Sequence, residues 1–143
     1  MLSDYVNKLS IEILTQMILL DTDVMVDILR GFAPAIDWLR SSGTQEIGLP
    51  GLVVMELLQG CQNNREQRLL ERKLRTFILY WPNQTDCMRA LEDFSQFHLS
   101  RKLGMLDSLI AETALGVGAE LATFKTKHYR ALSALKTIQP YQR

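Results

Sequence analysis

The stretch MILLDTDVMVDILR, Met17–Arg30, constrains the fold more than any other. Four apolar residues, Met17–Leu20, run directly into Asp21, and Thr22 and Asp23 follow at once. A short continuous apolar run reads as a strand covered on both faces, as in parallel sheets flanked by helices. Asp21 then stands at the strand's carboxyl end, the edge where open α/β sheets bind ligands. Two readings fit an acid placed there. It is a site residue, or it shares with Thr22 the task of capping a helix that begins near Val24. This stretch alone leaves them level.

The rest of the chain alternates in the same way. Val24–Arg30 reads as a helix stopped by Gly31, and Ala33–Arg40 as one opened by Pro34. Helices are also expected over GLVVMELLQG, Asn63–Phe77, Asp86–Lys102 and Asp107–Leu115. Short strands are expected at Glu46–Leu49, Phe77–Trp81, Glu120–Phe124 and Thr137–Gln139. The fold class is α/β: a mostly parallel sheet of about four or five short strands sandwiched by helices. Residues 17–143 form one domain, and residues 1–16 read as an N-terminal extension without an assigned role.

Composition narrows the function. Lys+Arg and Asp+Glu are 16 each, so a uniformly basic nucleic-acid binder is excluded and an anionic partner needs a local patch. Cys61 and Cys87 form no CxxC pair, and His98 and His128 are too few for a His-rich zinc site. A reduced, cytoplasmic chain is expected. No stretch is apolar and long enough to cross a membrane. Residues 1–16 carry Asp4 and Glu12 and lack the basic start of a signal peptide.

Two further carboxylates look out of place. Glu56 is surrounded by Leu52, Val53, Val54, Met55, Leu57 and Leu58, which reads as a buried helix. A charge there is costly unless paired or bound to a cation. The plainer alternative puts Glu56 on a solvated stripe. Asp107 heads an apolar helix, where it is a site acid or an N-cap in competition with Ser108. Glu112 reads as a solvated helical position. Asp21, Glu56 and Asp107 come from separate elements that can converge at the sheet's carboxyl edge. Hard cations such as Mg²⁺ and Mn²⁺ prefer such oxygens, and they activate water for phosphodiester hydrolysis.

The motifs LLDTDVMVDILRG, VVMELLQG, LDSLIAETAL and LATFKTKHYRAL, in this order and spacing, resemble PIN-domain ribonucleases, specifically the VapC toxins of bacterial toxin–antitoxin pairs. The resemblance covers nearly everything from Met17 on. It implies a Mg²⁺- or Mn²⁺-dependent endoribonuclease acting on RNA, inhibited by a small cognate antitoxin and usually a homodimer. Carried over by position, Asp21, Glu56 and Asp107 match the family's catalytic, metal-binding acids. Asp23 matches a supporting position, and Thr22 and Thr123 match hydroxyls that hydrogen-bond within the site.

Lys125 departs from this pattern, because relatives often carry Asp or Asn there. The resemblance therefore implies three main acids rather than four. A lysine in that place contacts the scissile phosphate, partly replaces a cation, repels metal, or points away. It also motivates an alternative, a PIN-like module that binds RNA or a partner with weak or lost cleavage. Lys127, His128 and Arg130, with Lys125, Lys136 and Arg143, form an acid-free C-terminal segment suited to RNA phosphates or simply to solvent. Arg65, Arg68, Arg72, Lys73 and Arg75 alternate with Glu66 and Glu71, which reads as a solvated face with i,i+4 pairs. A haloacid-dehalogenase-type phosphatase also fits Asp21-Thr22-Asp23, with Asp21 as nucleophile, Asp23 as acid/base and Lys125 on the phosphate. The absence of any acid after Glu120 argues against it.

Overall fold

The computed structural model describes residues 1–4, 17–43 and 45–143, so the expected extension over residues 1–16 lies mostly outside the described residues. Strand β1 (Ile18–Leu20) leads into α1 (Thr22–Leu29) and α2 (Ala33–Ser41). Strand β2 (Ile47–Pro50) leads into α3 (Gly51–Gln59) and α4 (Asn64–Leu74). Then come β3 (Ile78–Tyr80), α5 (Gln84–Arg101), α6 (Met105–Gly116), β4 (Glu120–Ala122), α7 (Thr126–Tyr129) and β5 (Thr137–Ile138).

The five strands form one sheet in the order β3-β2-β1-β4-β5, and every pairing is parallel. Central position explains the opening run: Ile18, Leu19 and Leu20 are all buried. The chain builds outward from β1 through β2 to β3, then crosses to β4 and β5 on the other side. The crevice at such a reversal, between the carboxyl ends of β1 and β4, is where this class of sheet places its ligands. The ladder carries the chain into that crevice, with Asp21 N–H donating to Ala122 O at 3.0 Å.

Several elements differ from expectation. Helix α3 buries only Gly51 and Val53, and Met55 is 58 % exposed, so Glu56 sits half-buried on a helix the domain covers only in part. Glu112 is the reverse case. It is 5 % exposed, because α6 packs along the length of α5 and hides most of its own circumference. The arginines of α4 make no ion pairs with described residues. Glu66 Oε2 instead accepts from Gln62 N–H, and Glu71 Oε1 from Gln67 Nε2. The short helix α7 has no counterpart among the expected elements; it follows β4 after the loop Thr123–Lys125 and buries Tyr129.

Candidate active site

Asp21 is fully buried. It is the N-cap of α1, and its Oδ1 accepts from Thr22 N–H at 2.8 Å. Its Oδ2 accepts from Thr123 Oγ1 at 2.8 Å and from Tyr129 Oη at 3.0 Å. Thr123 stands just past β4, so two adjacent strands present these groups to one crevice. A buried carboxylate needs such donors, since an acceptor left unpaired in the interior costs about 1–3 kcal/mol, and more when it is charged.

Asp107 is 9 % exposed and lies one turn into α6. Gly104, and neither Asp107 nor Ser108, is the N-cap. Asp107 Oδ2 reaches back to Gly104 N–H at 3.4 Å, and Ser108 Oγ donates to Gly104 O at 3.0 Å. Asp107 Oδ1 faces Asp21 across the same tyrosine, with Tyr129 Oη at 3.4 Å. Tyr129 is 1 % exposed. Burial, then the Asp21 and Asp107 charges, raises its phenol well above the ordinary range, so it remains a donor. Spacing gave no sign of Tyr129; the only cue is that a buried tyrosine hydroxyl seeks a partner.

Lys125 Nζ stands 3.4 Å from Asp107 Oδ1, half-buried. Burial alone would lower its pKa, but Asp107 first and then Asp21 and Asp23 hold the ammonium above the ordinary lysine range. Its backbone N–H donates to Thr123 Oγ1 at 3.0 Å, so this loop and Asp21 share one hydroxyl. His128 Nδ1 lies 3.7 Å from Asp107 Oδ2.

Asp23 is a brace. Its Oδ1 accepts from Val24 N–H at 2.8 Å and its Oδ2 from Phe124 N–H at 2.9 Å, joining α1 to the loop after β4. Burial, then the Asp21 charge, raises its pKa. With both oxygens committed to backbone amides, Asp23 is poorly placed as the mobile acid/base of a phosphatase.

Glu56 approaches from α3. Its Oε1 accepts from Thr22 Oγ1 at 3.1 Å, which sets it beside Asp21 through one intervening residue. Among the described residues, no three carboxylate, histidine or cysteine groups stand close enough to share one ion. The three-acid convergence expected from the sequence is a close pair, Asp21 and Asp107, with Glu56 at the rim. The rim opens into a groove of about 890 Å³ lined by Thr22, Arg30, Glu56, Gly60, Glu66 and Leu70.

The basic C-terminal segment divides. Lys127 and Arg130 are exposed. Arg143 is engaged internally: its Nε donates to Asp27 Oδ2 at 3.0 Å and its guanidinium lies 4.2 Å from the Phe124 ring centroid.

The sequence model of the PIN domain matches residues 18–132, which contain every site residue above. The chain belongs to the PIN-domain family. Ribonuclease VapC10 of Mycobacterium tuberculosis is 31% identical over 121 residues, covering 84% of this chain and 91% of that protein. Among solved structures, a toxin–antitoxin complex from Klebsiella pneumoniae superposes with a TM-score of 0.71 at 22% identity, over 87% of this chain and 98% of that one. VapBC2 from Rickettsia felis, bound to a promoter DNA fragment, gives 0.71 at 21% identity over 85% and 97%. These structural likenesses establish the PIN fold of the domain.

Proposed function

We propose that this PIN domain is a divalent-metal-dependent endoribonuclease, the toxin of a toxin–antitoxin pair. The observation that carries the reading is the pairing of Asp21 and Asp107 around Tyr129 at the carboxyl edge of the central strands. Mg²⁺ is commonly held by one or two carboxylates together with water and substrate phosphates, so a buried pair of hard oxygen donors suits it, and Mn²⁺ likewise. Asp21 and Asp107 are the residues that would hold the ion, with Glu56 nearby at the groove. The chemistry a bound ion supplies is activation of a water and neutralisation of charge on phosphoryl oxygens.

The chain's own groups do the rest. Thr22 N–H, Thr123 and Tyr129 fix the Asp21 carboxylate. Asp23 fixes the loop that carries Lys125. Lys125, beside Asp107, is placed to meet a backbone phosphate, and Lys127, His128 and Arg130 follow it along the chain. The groove beside Glu56 has room for RNA or for an inhibiting segment of a small antitoxin, the pairing that names the Klebsiella complex. A homodimer acting on cytoplasmic RNA completes the proposal.

Lys125 supports a second reading, in which its ion pair with Asp107 leaves a module that binds RNA and cleaves weakly. Purified protein incubated with RNA separates the two. The first reading predicts cleavage in Mn²⁺ that stops with EDTA and resumes on adding excess metal. Folded protein that binds RNA without cutting it in Mn²⁺ contradicts that reading and supports the second.

A further inference from the structure

The residues that follow β5 stand outside the cluster of Asp21, Asp107 and Tyr129, yet they hold the loop that supplies it. Strand β5 ends at the carboxyl edge of the sheet, because its pairing with β4 is parallel. There Ile138 O accepts from Thr123 N–H at 3.0 Å. The side chains beyond it reach α1. Tyr141 Oη donates to Asp27 Oδ2 at 2.8 Å, and Arg143 Nε donates to the same oxygen at 3.0 Å.

Arg143 makes two further contacts, and both lead to the loop after β4. Its Nη2 donates to Asp23 O at 3.2 Å, and its guanidinium lies 4.2 Å from the Phe124 ring centroid. The Tyr141 ring meets Phe124 edge-on, with centroids 5.0 Å apart. Phe124 is thus held by Arg143 over its ring, by Tyr141 at its side, and by Asp23 Oδ2 on its N–H at 2.9 Å. Its sequence neighbours are Thr123, which donates to Asp21 Oδ2, and Lys125, which stands beside Asp107. Consecutive Cα atoms stay about 3.8 Å apart, so a displacement of Phe124 passes to both neighbours. A surface arginine that met only solvent would keep its rotamer freedom; this one surrenders it to three partners. A planar guanidinium suits that task, since it can bond a carboxylate and a carbonyl through its edge while a ring takes its face.

We propose that Arg143, assisted by Tyr141, is a positioning residue for the candidate active site: it clamps Phe124, and so keeps the Thr123 hydroxyl on Asp21 and the Lys125 ammonium beside Asp107. The effect on cleavage rests on the ribonuclease reading; the clamp itself does not. The charge of Arg143 is answered by Asp27 and by the Phe124 ring. That separates it from the exposed Lys127 and Arg130, which remain free to meet RNA phosphates.

The test is amide hydrogen exchange, followed by NMR, in full-length wild type and Arg143→Ala. Phe124 N–H, bonded to Asp23 Oδ2, and Lys125 N–H, bonded to Thr123 Oγ1, report the loop. Ile18 N–H, bonded to Glu46 O, reports the centre of the sheet. Arg143→Ala is expected to speed exchange at Phe124 and Lys125 about fivefold, the scale of a lost cation–π contact and hydrogen bond, and to leave Ile18 unchanged. On RNA, kcat is expected to fall about fivefold while KM stays within about twofold. Arg143→Lys keeps a cation for the ring and loses the fork, so it is expected to recover part of both losses. Equal acceleration at all three amides marks a general loss of stability and overturns the proposal. Loosening of the loop with wild-type kcat overturns the positioning role. Unchanged exchange overturns the clamp, and a raised KM with a shallower salt dependence then makes Arg143 an RNA contact instead. Wild type that cuts no RNA, with the loop still loosened in Arg143→Ala, overturns the ribonuclease reading and upholds the clamp.

Discussion

The Tyr129 hydroxyl lies 3.0 Å from Asp21 Oδ2 and 3.4 Å from Asp107 Oδ1, donating into the space between two buried carboxylates. A hydrogen-bond donor thus stands between like charges that otherwise repel. Tyr129→Phe keeps the ring's packing and removes only the donor. The expected cost is about 1–3 kcal/mol of stability, read from urea unfolding, because buried carboxylate lone pairs lose a partner. Cleavage is expected to fall as well, through misplacement of Asp21. An unfolding midpoint equal to wild type contradicts the bridging role.

Lys125 already places a cation against Asp107, so a divalent ion must share or displace it. Lys125→Met is expected to bind Mn²⁺ about threefold more tightly by calorimetry, an effect on the scale of a partly exposed ion pair. Its affinity for RNA is expected to fall. Identical Mn²⁺ affinity in the two proteins removes Lys125 from the site's electrostatics.

Asp23 is expected to matter by position. Asp23→Ala leaves the Val24 and Phe124 N–H groups without their acceptor, at a cost of about 1–3 kcal/mol. Cleavage is expected to drop, mainly in kcat, because the loop after β4 carries both Thr123 and Lys125. A variant with wild-type stability and kcat shows that the brace is dispensable.

Glu112 gives the fold a pH dependence away from the site. Burial first, and then the neighbouring Asp93, push its carboxyl up from 4.5 to about 7. The native state therefore holds a proton that the unfolded chain releases. Stability is expected to fall as pH rises between these values, by roughly 3 kcal/mol in all. Glu112→Gln mimics the protonated form and is expected to flatten that part of the profile and raise the melting temperature at pH 8. Parallel wild-type and variant profiles contradict this account.

Much of the fold was legible because β1 is central: a strand buried on both faces leaves an uninterrupted apolar run, and Asp21 follows it. Asp107 was legible as an acid heading an apolar helix. Burial of individual helices was harder to read. Glu56 looked buried because its neighbours are apolar, yet α3 lies near the domain's edge and leaves Met55 in solvent. Glu112 looked solvated, yet α6 runs between α5 and the sheet. Which side of a helix meets a neighbour depends on topology that a local pattern does not contain. Tyr129 and the Asp27–Tyr141–Arg143 contacts join residues far apart in sequence, with no motif to announce them.

Asp21 and Asp107 are proposed to form the cleavage centre together. Single-turnover cleavage of a labelled RNA in Mn²⁺, by wild type, Asp21→Asn and Asp107→Asn, each shown folded by circular dichroism, tests it most directly. Each asparagine variant is expected to lose roughly a thousandfold or more in rate, the scale on which removing a group that stabilises the transition state acts. Cleavage within about tenfold of wild type by either folded variant would contradict it, because an ion-holding pair does not work with one member neutral.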